Sequence, residues 1–111
     1  MSKATFQCLC GNSATPTLLY KGDFIQTLQV EHFIISNSDN GNANVSVYLV
    51  PPGASPAIAN AVIHLLKLAG NSFQEGQGGF IIPPQFSVYV QSTTTNDVVA
   101  TMSGTLSASN A

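Results

Sequence analysis

From Ile25 to Ile35 the side chains alternate at every second position, and that period admits a strand and excludes an amphipathic helix. Leu28, Val30, His32 and Ile34 fall on one face of it, with Gln29, Glu31, Phe33 and Ile35 on the other. The run ends in Ser36-Asn37-Ser38-Asp39-Asn40-Gly41-Asn42, a turn by composition, because Asn and Gly tolerate positive φ and short polar side chains bond back to the backbone. Val45, Val47 and Leu49 then alternate with Ser46, Tyr48 and Val50, so two antiparallel strands joined by this turn are expected.

The same punctuation recurs along the chain. Thr15 to Tyr20 reads as a strand closed by Lys21-Gly22-Asp23, and Pro51-Pro52-Gly53-Ala54-Ser55-Pro56 stops the Val-rich strand, since proline cannot donate to a ladder. Residues 57–69 stay open between two readings. Ser55-Pro56 resembles a helix start, with Ile58, Val62, Leu65, Leu66 and Ala69 as a helical stripe ended by Gly70. As a strand from about Val62, the segment would set Val62, His64, Leu66 and Leu68 against Ile63, Leu65 and Lys67, and the all-β surroundings favour this version. Further on, Asn71 to Glu75 and Phe80 to Ile82 read as short strands around a flexible Gly76-Gln77-Gly78-Gly79 turn. Phe86 to Gln91 and Val98 to Leu106 supply two more alternating runs. The expectation is an all-β, single-domain antiparallel β-sandwich over 1–111, jelly-roll or Ig-like, with about seven or eight short strands and 1–14 as an extended N-terminal arm.

Composition narrows the function. Charged residues make up 7% of the chain, against about 25% in ordinary domains, and Ser, Thr, Asn and Gln supply roughly a third. Three cations, Lys3, Lys21 and Lys67, with no arginine, cannot neutralise a phosphate backbone, so no nucleic-acid partner is expected. No apolar run reaches the ~18 residues that cross a bilayer as a helix, and none of the marks of a secretory signal follows Met1; no membrane partner is expected, and synthesis in a cytoplasm is. Cys8 and Cys10 lie too close along an extended segment for an unstrained mutual disulfide and read as reduced thiols.

Candidate chemistry is sparse. Of the five carboxylates, Asp23, Asp39 and Asp97 sit at turns, where a short acid is ordinary turn chemistry; Glu31 and Glu75 lie apart in sequence. His32 and His64 each read as a hydrogen-bonded structural histidine among apolar neighbours. Cys8, Cys10, His32 and His64 are zinc-type ligands, but Cys-x-Cys with two isolated histidines does not have the usual paired spacing, so no metal and no cofactor are assigned. Gly76 to Gly79 lacks the Lys-Ser/Thr and following helix of a phosphate loop. No local signature marks a catalytic nucleophile, and no enzyme is expected.

The order of features carries a resemblance. Leu18-Leu19-Tyr20 is followed by a strand closing on Ser36-Asn37 and by Asn44 to Val50. Then come Leu66-Lys67-Leu68-Ala69-Gly70-Asn71-Ser72-Phe73, Phe80 to Val90, and a last strand with Ser103-Gly104. From residue 17 to 106 this layout resembles small β-sandwich virion structural proteins of tailed bacteriophages, except that Pro83-Pro84-Gln85 stands where a Gly-Asp turn is usual. The resemblance implies a non-enzymatic capsid cement or decoration protein located in the virion, a homotrimer whose partners are itself and the major capsid protein. The alternatives are a neck, tail or fibre component, or a small carbohydrate-binding adhesion module. Phe6, Leu9, Tyr48 and Tyr89 are the expected interface residues, the first two because the N-terminal segment has no evident place in a sandwich and the tyrosines because they lie opposite the main apolar rows.

Overall fold

A computed structural model describes residues 2–10, 15–22, 25–93 and 98–108. Eight strands account for most of them: β1 (Ser2–Leu9), β2 (Thr17–Lys21), β3 (Gln26–Asn37), β4 (Ala43–Val50), β5 (Ala61–Leu68), β6 (Ser72–Ile82), β7 (Ser87–Ser92) and β8 (Val98–Ala108). One 3-10 turn, Ile58–Asn60, precedes β5. Residues 61–68 are therefore strand, as the β surroundings favoured.

Pairing follows a simple rule. β4 pairs with β5, β3 with β6, β2 with β7 and β1 with β8, all antiparallel, so the chain is a long two-stranded ribbon folded back on itself about residues 51–60. Two further ladders, β3 with β8 and β4 with β7, close this ribbon into a front sheet of order β1-β8-β3-β6 and a back sheet of order β2-β7-β4-β5. Two four-stranded sheets wound from one ribbon are a jelly roll, which decides between the two sandwich types expected from sequence. Residues 2–9, read as part of an arm, supply β1 at the margin of the front sheet.

The core lies between the sheets. Leu28, Val30 and Ile35 of β3, Val45 and Val47 of β4, Val88 and Val90 of β7 and Ala100 and Met102 of β8 are all buried, as period-2 patterning requires of a sheet with one wet face. Each full-sized apolar side chain taken from water contributes about 1.5–3 kcal/mol. The alternation expected for β3 holds only as far as Val30. A bulge at Glu31 gives β3 one residue more than β8, so that Phe33, Ile35 and Asn37 point inward while His32 and Ile34 do not, and β6 is bulged in turn against β3, with three steps from Phe80 to Gln77 facing two from Val30 to His32. Gly104 of β8 faces the bulge at Glu31, and a Cβ there would overlap the carbonyl oxygen of Gln29. β5 is irregular twice over: two register shifts against β4 bring Ile63, Leu66 and Leu68 inward and leave Val62 and Leu65 exposed. Leu65 takes φ 53, and its N–H donates to Ser46 Oγ at 3.0 Å.

Side chains tie the loops down. Asn37 is buried; its Nδ2 donates to the carbonyls of Gly41 (3.0 Å), Leu68 (3.2 Å) and Ala69 (3.2 Å), and its Oδ1 accepts from Asp39 N at 2.9 Å. One amide thus joins the β3–β4 loop to the β5–β6 turn. No described residue of the 38–42 loop has positive φ, so side-chain bonds make this turn and left-handed backbone does not. Pro83-Pro84-Gln85 forms the β6–β7 turn with Gln85 at φ 71, the position a glycine commonly takes. Residues 76–79, expected as a turn, lie instead inside the 11-residue strand β6.

Candidate functional site

The two sides of the sandwich differ. Beside β1 and β2, Phe6 meets Tyr20 edge-on with ring centroids 4.8 Å apart, and Cys10 N donates to Val98 O at 2.8 Å. Beside β5 and β6 the sheets part around an apolar cleft of about 430 Å³. Phe33, Ile35, Val47, Ile63 and Leu66 line it, with Gly76 on its wall. A Cβ at Gly76 would have only the Phe33 carbonyl, 4.0 Å away, as a neighbour, so packing within the chain does not require glycine there. Exposed large apolar side chains flank this side: Val62 and Leu65 on β5, Phe73 and Ile81 on β6, and Ile58 before β5.

Two ion pairs sit on the outer face of the front sheet, and one of their members, Glu75, also borders the cleft. The β3 bulge turns His32 outward, where Nε2 lies 2.5 Å from Glu75 Oε2, so the inward position expected for His32 is not its place. Glu31 accepts from Lys3 Nζ (3.0 and 3.2 Å) and from Thr105 Oγ1 (2.8 Å). The Thr105 hydroxyl, with Lys3 behind it, holds the Glu31 carboxyl below its ordinary range. Asp39 accepts from Gly41 N at 2.9 Å, the turn role expected of it. Asp23, Asp97 and the His64 side chain lie outside the described residues.

Both thiols point to the core. Burial raises the Cys8 thiol, and burial with the neighbouring Cys8 raises Cys10 to about 12. Each stays protonated and unreactive at neutral pH. Since Cys8 and Cys10 face inward and His32 faces out, these three cannot share one ion, and no group of three metal-ligating side chains occurs among the described residues. No helix among them is long and apolar enough to cross a membrane.

The four residues expected at an interface are scattered. Phe6 packs against the core, where it stitches β1 to β2, while Leu9 is exposed on the outer face of the front sheet. Tyr48 and Tyr89 are cross-strand neighbours on the outer face of the back sheet. Tyr48 is buried all the same, with its hydroxyl donating to Gln91 Oε1 at 2.9 Å and the 3-10 turn beside its strand, which leaves little of it for a partner. Tyr89 is half-buried and borders a shallow hollow of about 230 Å³ with Lys21, Val50, Pro51 and Gln85. Sequence reasoning missed the cleft and the exposed Phe73 and Ile81, because the short runs around them concealed that β6 is one continuous strand.

No family model matches the chain, and no curated protein matches it significantly. Among solved structures, a chain of the T13 infectious bursal disease virus particle aligns with TM-score 0.51 at 12% identity, over 95% of this chain and 30% of its own. This chain therefore spans less than a third of that viral protein. A protein of Bacillus endospore appendages, described as disulfide-linked pili, aligns with TM-score 0.48 at 17% identity over 96% of this chain and 87% of its own. For a tobacco streak virus coat protein the values are 0.43, 7%, 98% and 88%. The likeness to the virus-particle chain is one of fold, and it does not single out tailed bacteriophages.

Proposed function

We propose that this chain is a non-enzymatic structural protein of a virion, in its most specific form a decoration subunit that binds the outer surface of a bacteriophage capsid and stabilises it. The observation that carries the reading is the jelly roll's open side, where large apolar side chains border a cleft on a molecule with very little charge. Such a surface suits coverage by protein, since apolar area is gained and few charges have to be desolvated. The inert thiols and the occupied Glu31 and Glu75 agree with a role in assembly.

The test is co-sedimentation with expanded capsids that lack the protein. Saturable binding, together with a higher temperature of capsid disruption, is the expected result. A chain that ignores capsids but binds one class of glycan on an array would replace this reading with that of an adhesion module.

A further inference from the structure

Asn40-Gly41 is the one Asn-Gly pair in the chain, and both residues are exposed in the β3–β4 loop. Asparagine is chemically labile because the backbone nitrogen that follows it can attack its side-chain amide, and glycine, with no Cβ in the way, hinders that attack least. The Gly41 nitrogen would give up its proton and bond to Asn40 Cγ, the Cγ–Nδ2 bond would break, and the amide group would leave with a proton as ammonia. Water then opens the resulting succinimide at either carbonyl, which leaves aspartate or, with the main chain rerouted through the side chain, isoaspartate.

The loop restrains both the nucleophile and the backbone motion this reaction requires. The Gly41 N–H donates to Asp39 Oδ2 at 2.9 Å. That proton must leave before the nitrogen can attack, and the carboxylate beside it opposes the negative charge that then develops. Ring closure also requires the Asn40–Gly41 peptide to turn towards the side chain, and this peptide is wedged in place: a Cβ at Gly70 would overlap the Asn40 carbonyl. Neighbours grip the same stretch from two elements. Asn37 accepts from Asp39 N (2.9 Å) and donates to Gly41 O (3.0 Å), while Asn71 donates its backbone N–H to Asp39 O (2.9 Å) and its Nδ2 to Asn40 Oδ1 (3.1 Å). We propose that Asn40 is a deamidation site held shut by the fold, with Asp39 restraining the nucleophile and the β5–β6 turn restraining the peptide. Reaction then waits on local opening of the loop. Asn37 makes its consequence large, because its bonds to Asp39 N and Gly41 O straddle the reacting residue. Isoaspartate lengthens the main chain between those two atoms, so one amide can no longer hold both, and the tie between the β3–β4 loop and the β5–β6 turn is lost. Either product also places a second carboxylate beside Asp39. None of this rests on the capsid reading.

Peptide mass spectrometry after timed incubation at one pH and temperature tests the restraint, with the chain either folded or unfolded in urea. Folded wild type is expected to lose ammonia at Asn40 about tenfold or more slowly than the chain in urea, the factor that one hydrogen bond to a charged acceptor carries. Asp39→Ala, incubated well below its own melting temperature, is expected to recover most of that difference. Asp39→Ser, which keeps an uncharged acceptor, should fall between the two, and in urea all three chains should react alike. Equal rates for wild type folded and in urea would overturn the proposal. So would a folded Asp39→Ala chain that deamidates as slowly as wild type, or variants that differ in urea as much as they do when folded, since the effect would then belong to local sequence and not to the fold.

Discussion

The sandwich is finished on one side and unfinished on the other. Along β1 and β2, two aromatic rings lock edge to face and a buried cysteine closes the seam against β8. Along β5 and β6, the sheets hold each other only weakly, apolar residues line a gap, and a glycine stands where a larger side chain would fit. Both sides belong to the same two sheets, and the difference lies in their side chains and in the bulges that interrupt β5 and β6. A jelly roll of this size can complete its core from half its perimeter and leave the rest for another surface to cover.

The largest effect should come from loosening the finished side. Phe6→Ala is expected to destabilise the fold by about 2 kcal/mol, less than for a fully buried ring because Phe6 is half-buried, and urea unfolding measures it. An unchanged midpoint would mean that the aromatic contact does not hold the sheets together. Next comes the thiol on that side. Burial raises Cys10 from 9.0 to about 12, so the folded chain keeps a proton that the unfolded chain loses. Stability is then fully present below pH 9 and falls as pH rises from 9 towards 12, the loss reaching about 1.4 kcal/mol one pH unit above 9. Cys10→Ala should flatten most of that slope in alkaline denaturation curves. The smallest effect belongs to the unfinished side and has the opposite sign: Gly76→Ala should raise stability by about 0.5 kcal/mol, since strand glycines are entropically unfavourable and the site has room. Gly104→Ala, with no room beside Gln29 O, should lower it, and a thermal melt of the pair distinguishes the two environments.

Much of this architecture is legible in the sequence where the period is unbroken. Val45, Val47 and Leu49, and likewise Val98, Ala100 and Met102, face the core as their alternation requires. The reading fails where a strand gains a residue. Counting by twos from Leu28 places His32 and Ile34 inside, and one extra residue at Glu31 reverses everything after it. Nothing local announces that bulge; the residue that leaves room for the β3 backbone beside it, Gly104, is distant in sequence. Leu65 at φ 53 is equally silent, since leucine has no preference for that backbone; the Ser46 hydroxyl across the ladder receives its N–H. Gly76 to Gly79 misled for a different reason. Glycine signals a turn when only neighbours in sequence are counted, and here β3 pairs with β6 on both sides of Gly78 and Gly79, so the glycines make a bulge within one strand. The open side is a relation between β5 and β6, which no single stretch of sequence contains.

The folded-back ribbon governs how the chain reaches this state. Bringing β1 directly to β8 from an extended coil would close a loop spanning residues 10–97, while β4 need only reach β5 across residues 51–60. Each inner ladder, once formed, shortens the effective loop that the next must close, and closure entropy grows with loop length. Zipping outward from the 51–60 bend is therefore the route of least entropic resistance, and the seam that holds Phe6 and Cys10 is the last to shut. The dominance of distant pairings predicts slow folding for a chain this short. While β1 and β8 remain apart, the thiols that are inert in the finished molecule stand open to solvent, which makes their reactivity a clock for the final closure.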